Sequence, residues 1–290
     1  VGVLLSGGVD SSLVTAMAVR SSNNVRTFSV GFPGHGEFDE TAHAKLIVNY
    51  FGTNHTELVP EPTEPDLLFM LAKQYDEPIV DSSMIPTYLV SKLVREHCTV
   101  ALGGDGGDEL FGGYTGYSRL LTMQKLLKPV PNFARKLLAN LAGSLLPVGV
   151  RGRNWLQALD INLDTNLPVV SSFFDPALRK KLMSKYAPWD TVGESYLASR
   201  VPNVPNIVER ATRFDFENYL AEDILVKVDR ASMLNSLEIR APFLDKDVIE
   251  FAFGRVPSRL KATEVDRKII LKMLCSKVLP PEFDLQRKQG

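Results

Sequence analysis

The chain opens with VGVLLSGGVDSS, residues 1–12, and this stretch decides the fold. Residues 1–5 form an apolar run typical of a buried strand, and residues 11–20 carry apolar side chains at helical spacing. The turn between them is rich in glycine and serine. A strand that passes through such a turn into a helix is the opening unit of a parallel α/β sheet, in which ligands bind beyond the carboxyl ends of the strands.

The rest of the first third repeats this alternation of apolar runs and helical patterns. Apolar or alternating runs predict further strands at residues 25–30, 54–59 and 99–102. Helical spacing predicts helices at residues 40–51, 64–75 and 86–97. Strands separated by helices predict an α/β fold with a doubly wound, mostly parallel sheet.

The character of the chain changes near residue 120, where helical patterns broken by prolines replace the alternation. Strong helical patterns return at residues 214–235 and 268–278. We therefore predict an α/β core over residues 1–119, a helical insertion over residues 120–205 and a helical C-terminal part over residues 206–290. The last part is expected to complete the same domain as the core.

Composition excludes several classes of protein. The 33 Lys and Arg residues balance 34 Asp and Glu residues, which argues against a strongly basic nucleic-acid binder. No run of 18 apolar residues is present, so no membrane association is expected. The two cysteines, Cys98 and Cys275, lack CxxC or metal-ligand spacing, which favours a reducing, cytoplasmic location. Because the first residue is Val1 and it already belongs to a buried run, we expect a piece of a longer chain.

The turn SGGVDSS at residues 6–12, here named the serine loop, has the composition of an anion cradle. Glycines let a ligand approach the backbone, the hydroxyls of Ser6, Ser11 and Ser12 can donate hydrogen bonds, and a helix N-terminus adds free N–H groups. Asp10 would repel a phosphate unless a cation such as Mg²⁺ lies between them. The alternative is a plain strand-to-helix turn with a polar cap.

A second glycine-rich stretch, GGDGGDELFGGY at residues 103–114, follows the last predicted strand and is named here the acidic loop. Its carboxylates, Asp105, Asp108 and Glu109, suit either a Mg²⁺ site or a base with a tuned pKa. Taken alone, a glycine-rich turn with capping acids explains it equally well. Further along, Asp223, Lys227 and Arg230 share one helical face, which indicates an ion ladder or a functional surface.

The serine loop resembles the pyrophosphate-binding loop of the N-type ATP pyrophosphatases. The whole set of motifs is similar to the synthetase domain of the glutamine-hydrolysing (B-type) asparagine synthetases. These motifs are FSVGF at residues 28–32, DEPIVD at 76–81, the acidic loop, ILVKVDRASM at 224–233 and LEIRAPFLD at 237–245. The resemblance implies the Rossmann-like fold of the adenine nucleotide alpha-hydrolases.

The resemblance also implies a reaction, ATP-dependent amide formation with Mg²⁺. The side-chain carboxylate of aspartate is adenylated with release of pyrophosphate, and ammonia then gives asparagine and AMP. The implied nucleotide-binding residues are Leu4, Ser6, Gly7, Gly8, Asp10, Ser11, Ser12, Val30, Gly103 and Gly104. Asp10 and Asp108 match the metal-linked acids. Asp105 falls where the family usually has a glutamate, and Lys288 falls where it has a lysine that acts in the adenylation step.

The expected partners follow from the same resemblance. They are aspartate, ammonia and an N-terminal glutaminase domain. The resemblance leaves open whether the protein forms a homodimer. That glutaminase domain begins with a cysteine nucleophile, and no cysteine precedes Cys98, so this chain is expected to use ammonia without hydrolysing glutamine. The alternatives are an amidotransferase acting on another carboxylate, an enzyme that closes an internal amide as the β-lactam synthetases do, and a non-catalytic nucleotide-binding module.

Overall fold

The computed structural model describes residues 1–31, 41–60, 65–75, 77, 81–147, 150, 152–168, 182 and 192–286. Within them the chain divides into two compact units. The first contains Val1–Gly113, Asp215–Lys261 and the segment from Lys268 onward, and the second contains Tyr114–Phe214 and Ala262–Arg267.

The first unit is built on a five-stranded parallel sheet with the order β3-β2-β1-β4-β5. The register pairs Val3 with Thr27 and Leu102, so β1 lies at the centre. The strands are β1 (Gly2–Leu4), β2 (Arg26–Val30), β3 (Asn54–Leu58), β4 (Val100–Leu102) and β5 (Glu238–Arg240).

Helices cover both faces of this sheet because their apolar sides need burial. On one side, Leu13 and Ala16 of α1 pack with Ile47 of α2 and Leu271 of α13 in one apolar cluster. On the other, Val94 of α4 packs on strand residues in a second cluster. The helices of this unit are α1 (Val9–Ser21), α2 (Thr41–Phe51), α3 (Asp66–Gln74), α4 (Met84–Arg95), α5 (Gly107–Phe111), α11 (Leu225–Met233), α12 (Lys246–Gly254) and α13 (Ile269–Val278).

Short irregular helices complete the first unit. A π-helix, Phe216–Ile224, precedes α11, and 3-10 turns occur at Pro242–Leu244 and Ser258–Leu260.

The second unit is helical and has its own apolar cluster, which contains Tyr117, Leu120, Leu163 and Val208. Its helices are α6 (Thr115–Leu127), α7 (Asn132–Leu145), α8 (Arg153–Gln157) with a 3-10 turn at Ala158–Asp160, α9 (Val192–Ser199) and α10 (Ile207–Asp215). Arg210 of α10 is 1% exposed. Its guanidinium donates hydrogen bonds to the main-chain carbonyls of Leu163, Asp164, Asn166, Val204 and Pro205.

The predicted fold class is confirmed: the sheet is parallel and helices alternate with the first four strands. Strand β5 is not among the predicted elements. It is three residues long and lies at a sheet edge, so it shows too few positions for an alternating pattern. Among the described residues, no helix has the length and apolar character needed to cross a membrane.

Replacing Arg210 with methionine should destabilise the protein by about 3 kcal/mol, because buried carbonyls would lose their donor. Urea unfolding measures this change. The matched control is Arg213→Met on the same helix, whose guanidinium pairs with Glu209 at 3.0 Å in a half-exposed position. That control should cost about 0.5 kcal/mol or less. Equal losses in the two variants would contradict a structural role for the Arg210 contacts.

Candidate active site

The serine loop turns sharply between β1 and α1, and Gly7 makes the turn. Its φ is +77°, a left-handed conformation that favours glycine. A Cβ atom on Gly7 would lie 2.7 Å from Cβ of His43 and 2.8 Å from the backbone nitrogen of Ala44. The loop is therefore packed against the first residues of α2, and only glycine fits this position.

The serine hydroxyls organise the turn. Oγ of Ser6 and Oγ of Ser11 lie 2.9 Å apart, and the Gly8 amide donates to Ser6 Oγ at 3.3 Å. Ser11 Oγ is also within 3.4 Å of the Gly8 carbonyl, to which it donates. Ser12 is fully buried, and its hydroxyl finds no hydrogen-bond partner among the described residues. The loop thus presents hydroxyls and the N-terminus of α1 at the carboxyl edge of the sheet, where an anion would be stabilised.

The acidic loop lies directly against the serine loop. A Cβ atom on Gly104 would lie 3.1 Å from Cβ of Asp10, and one on Gly107 would lie 2.7 Å from the Asp10 carboxylate carbon. Gly106 turns the loop with a φ of +88°. Glycines in the acidic loop therefore leave the space that the Asp10 side chain occupies.

Asp10 is a buried acid with a perturbed titration. Burial raises the pKa of its carboxyl to about 6, although the nearby Lys268 ammonium acts in the opposite direction. One oxygen, Oδ1, is buried and has no hydrogen-bond partner in the described part of the chain. The other, Oδ2, lies 2.5 Å from Nζ of Lys268.

Lys268 connects the two loops, although it belongs to none of the motifs in the sequence. Its ammonium lies between Oδ2 of Asp10 and Oδ1 of Asp108, the latter at 2.7 Å. Burial alone would lower its pKa, but the two carboxylates outweigh that effect and raise the pKa above its ordinary value. Lys268 is therefore protonated at neutral pH. No local pattern indicates its role, because it stands 258 positions from Asp10.

A second polar cluster surrounds Lys227, on the helical face predicted to carry ions. Its ammonium donates to Oδ2 of Asp81 and to Oγ of Ser83, both at 2.8 Å. Burial raises the pKa of Asp81, but hydrogen bonds from Lys227 and Ser83 outweigh burial and leave that pKa below its usual value. Lys227 of the predicted face thus forms a partly buried ion pair with a residue from another segment.

Asp105 is close enough to this cluster for the charge of Lys227 to affect the pKa of its carboxyl. Burial raises the pKa of its carboxyl above the ordinary value, and the positive charge of Lys227 partly opposes the shift. A carboxyl of this kind, near a loop that could bind phosphate, has the character of a tuned acid or base.

The other predicted site residues lie along the same sheet edge. Leu4 ends β1, Val30 ends the neighbouring β2, and Gly103 and Gly104 follow β4 on the other side of β1. Lys288 lies outside the described residues, as do Phe32 and Asp76 of the quoted motifs.

The donor set suits Mg²⁺ bound together with a phosphate ligand. Among the described residues, no group of three or more His, Cys, Asp or Glu side chains could hold a metal ion. Mg²⁺ commonly uses one or two carboxylates and takes its other ligands from water and substrate phosphates. Asp10 and Asp108 share one cation, and Asp10 Oδ1 is a buried oxygen without a donor, so the pair fits this pattern.

Comparison with known proteins gives a consistent result. The family model described as asparagine synthase matches residues 1–290. Asparagine synthetase [glutamine-hydrolyzing] 1 of Bacillus subtilis is 33% identical over 293 residues, which include all of this chain but 45% of the relative. A putative asparagine synthetase [glutamine-hydrolyzing] of Mycobacterium bovis is 32% identical, with coverage of 100% and 44%.

An archaeal relative shows the same partial coverage. The putative asparagine synthetase [glutamine-hydrolyzing] 2 of Methanocaldococcus jannaschii is 34% identical over 84% of this chain and 47% of its own length. The chain therefore spans a little under half the length of these relatives, and the match covers their C-terminal part.

Replacing Gly7 with alanine should destabilise the protein by about 3 kcal/mol, because a strained φ and a collision with α2 add together. Gly52→Ala is the matched control. Gly52 also has a positive φ, of +65°, but a Cβ atom there meets nothing within 4 Å. The Gly52→Ala variant should lose only about 1 kcal/mol in free energy of unfolding. Thermal or urea unfolding compares the two, and equal losses would mean that the loop is not packed as described.

Replacing Lys227 with methionine should cost about 2 kcal/mol at neutral pH, because Asp81 would lose its charged donor. The loss should shrink at low pH: the pair stabilises the fold above the ordinary pKa of an aspartate and stops doing so as pH falls through the lowered pKa of Asp81. Urea unfolding at several pH values measures this dependence.

The control for that experiment is Lys246→Met. Lys246 is 84% exposed and pairs with Glu250 at 3.7 Å, so its loss should cost less than about 0.5 kcal/mol. In Asp81→Asn/Lys227→Met the two effects should be less than additive, since both remove one interaction. Additive losses would argue against the ion pair.

Proposed function

The chain belongs to the asparagine synthase family, and on that premise we propose that it is the synthetase part of an ATP-dependent carbon–nitrogen ligase. The reaction we propose is adenylation of the side-chain carboxylate of aspartate, followed by attack of ammonia to give asparagine, AMP and pyrophosphate. We further propose that an N-terminal glutaminase domain supplies the ammonia, since the relatives are named as glutamine-hydrolyzing and this chain spans less than half of their length.

One observation carries the proposal: the serine loop and the acidic loop meet at the carboxyl edge of the sheet, around Asp10. The edge combines the N-terminus of α1, the hydroxyls of Ser6 and Ser11, and two carboxylates that share a cation. Such a set can bind a triphosphate and Mg²⁺ together. Carboxylates and phosphates are both negatively charged, so they come together only when a cation lies between them.

The site residues divide into those proposed to bind the nucleotide and those proposed to take part in the reaction. We assign the serine loop to the phosphates. The family resemblance implies that Leu4, Val30, Gly103 and Gly104 contact the adenosine, and their position at the ends of three adjacent strands supports this assignment. Asp10 and Asp108 would hold Mg²⁺, which when bound neutralises the charge on the triphosphate and the departing pyrophosphate.

Asp105 is assigned to the acyl-transfer side of the site because, by the family resemblance, it falls where a glutamate is important to formation of the intermediate; its raised pKa is consistent with that role. A carboxyl with a raised pKa can accept a proton from the attacking ammonia more readily than an ordinary aspartate. Lys288 is proposed to act on the adenylation transition state, on the strength of its sequence position alone.

Exchange of labelled pyrophosphate into ATP tests the proposal. Exchange should require both Mg²⁺ and aspartate, because label enters ATP only when an acyl-adenylate forms and reverts. Asp108→Asn should lower the rate by about 10²-fold, as expected when one electrostatic group of the site is lost. Asp247→Asn, at an exposed aspartate in the first turn of α12, is the control and should exchange normally.

Other outcomes would favour the alternatives. Exchange driven by another carboxylate but not by aspartate would assign a different acceptor. ATP binding without exchange for any carboxylate would contradict the ligase proposal and favour a nucleotide-binding module.

A further inference from the structure

We propose that the Lys268 ammonium and a divalent metal ion are alternative occupants of the Asp10–Asp108 pair. In the nucleotide-free protein the lysine neutralises the two carboxylates. Mg²⁺ that enters with ATP displaces it from them. The inference rests on the proposed function only for the identity of the metal and the nucleotide.

The ammonium already contacts carboxylate oxygens that a shared metal ion would use. Nζ of Lys268 lies 2.5 Å from Asp10 Oδ2 and 2.7 Å from Asp108 Oδ1. A Mg²⁺ ion needs oxygen ligands at about 2.0–2.1 Å in octahedral geometry. An ion that used these same two oxygens would have to compete with the ammonium for them, because both are already within hydrogen-bond distance of Nζ.

The charge of the cluster favours one cation at a time when nucleotide is absent. Two carboxylates and one ammonium leave one negative charge, which a divalent ion in place of the ammonium would cancel. Before nucleotide binds, an ammonium and a divalent ion together would leave one excess positive charge in a poorly solvated position, because the Lys268 and Asp10 side chains are only 16% and 17% exposed. In the nucleotide-free protein the pair should therefore hold one cation or the other.

The backbone holds Lys268 in this position at a cost in conformational strain. Lys268 has φ +52° and ψ +34° at the residue before α13, a left-handed conformation that is strained for lysine. A Cβ atom on Gly113 would lie 2.3 Å from Cε of Lys268, so glycine at 113 leaves the path for the lysine side chain. A strained backbone and a glycine that makes room for the side chain indicate that the surrounding fold places Lys268 here specifically. A solvated surface lysine would need neither.

The displaced ammonium needs a new anion, and the incoming phosphates supply one at the same edge of the sheet. Metal and nucleotide should therefore bind together, and the metal should bind weakly when nucleotide is absent. Lys268 acts in this scheme as a positioning residue that holds Asp10 and Asp108 side by side until the metal arrives.

The test uses Mn²⁺ without nucleotide or acceptor, and free Mn²⁺ is measured by its paramagnetic resonance signal. Lys268→Gln and Lys268→Met should each bind Mn²⁺ about tenfold more tightly than the unaltered chain, because the competing cation is gone. Lys277→Gln removes the same charge from an exposed position on the same helix and should leave the affinity unchanged. Adding Asp10→Asn to Lys268→Gln should abolish the gain.

A second readout follows folding. Lys268→Gln should melt below the unaltered chain in EDTA, and Mn²⁺ should raise its melting temperature more than that of the unaltered chain. Unchanged or weaker Mn²⁺ binding in both neutral variants would overturn the proposal, as would a gain that survives Asp10→Asn. A variant that stays unfolded even with Mn²⁺ would also overturn it, since the metal should replace the missing ammonium.

Because no nucleotide or aspartate is used, failure here is distinct from failure of the ligase proposal. If labelled pyrophosphate does not enter ATP but Mn²⁺ binds the Lys268 variants more tightly as expected, the proposed function is rejected. The replacement of the Lys268 ammonium by a metal ion would then still stand.

Discussion

The Asp10 carboxylate and the cation beside it hold the functional edge of the sheet together. Asp10 stands at the first turn of α1, touches glycines of the acidic loop and pairs with Lys268 at the start of α13. Three segments that are far apart in the chain therefore meet at one buried charge. A buried carboxylate without a counter-ion would be strongly destabilising, so the positions of these segments depend on one another.

This arrangement explains why both loops contain so many glycines. In the serine loop, Gly7 allows the left-handed turn and the close packing on α2. In the acidic loop, Gly104 and Gly107 have no side chain because the Asp10 carboxylate occupies that space. The residues of one loop thus limit which residues the other can contain.

The Lys227 cluster connects this edge to a second set of charges. The Lys227 ammonium donates hydrogen bonds to Asp81 and Ser83 just before α4 begins, and the Tyr75 hydroxyl donates to the Lys227 carbonyl at 3.0 Å. Through its charge it also acts on Asp105 in the acidic loop. The proposed phosphate side of the site and the proposed acyl-transfer side are therefore both organised by lysines from the C-terminal segments of the first unit.

Local periodicity in the sequence determined the first four strands and the helices α1–α4, α11 and α13, because burial of an apolar face is already visible in the spacing of side chains. It did not place α5, α12 or the individual helices of the second unit. The composition of residues 6–12 and 103–114 is likewise sufficient to identify the two loops, since clustered glycines and polar side chains are a local property of the chain. Strand β5, the contact of Gly107 with Asp10, the Asp81–Lys227 pair and the place of Lys268 were decided only by the tertiary structure. Each of these joins residues more than 90 positions apart, and Coulomb attraction and close packing act on distance in space, which no local pattern of residue types records.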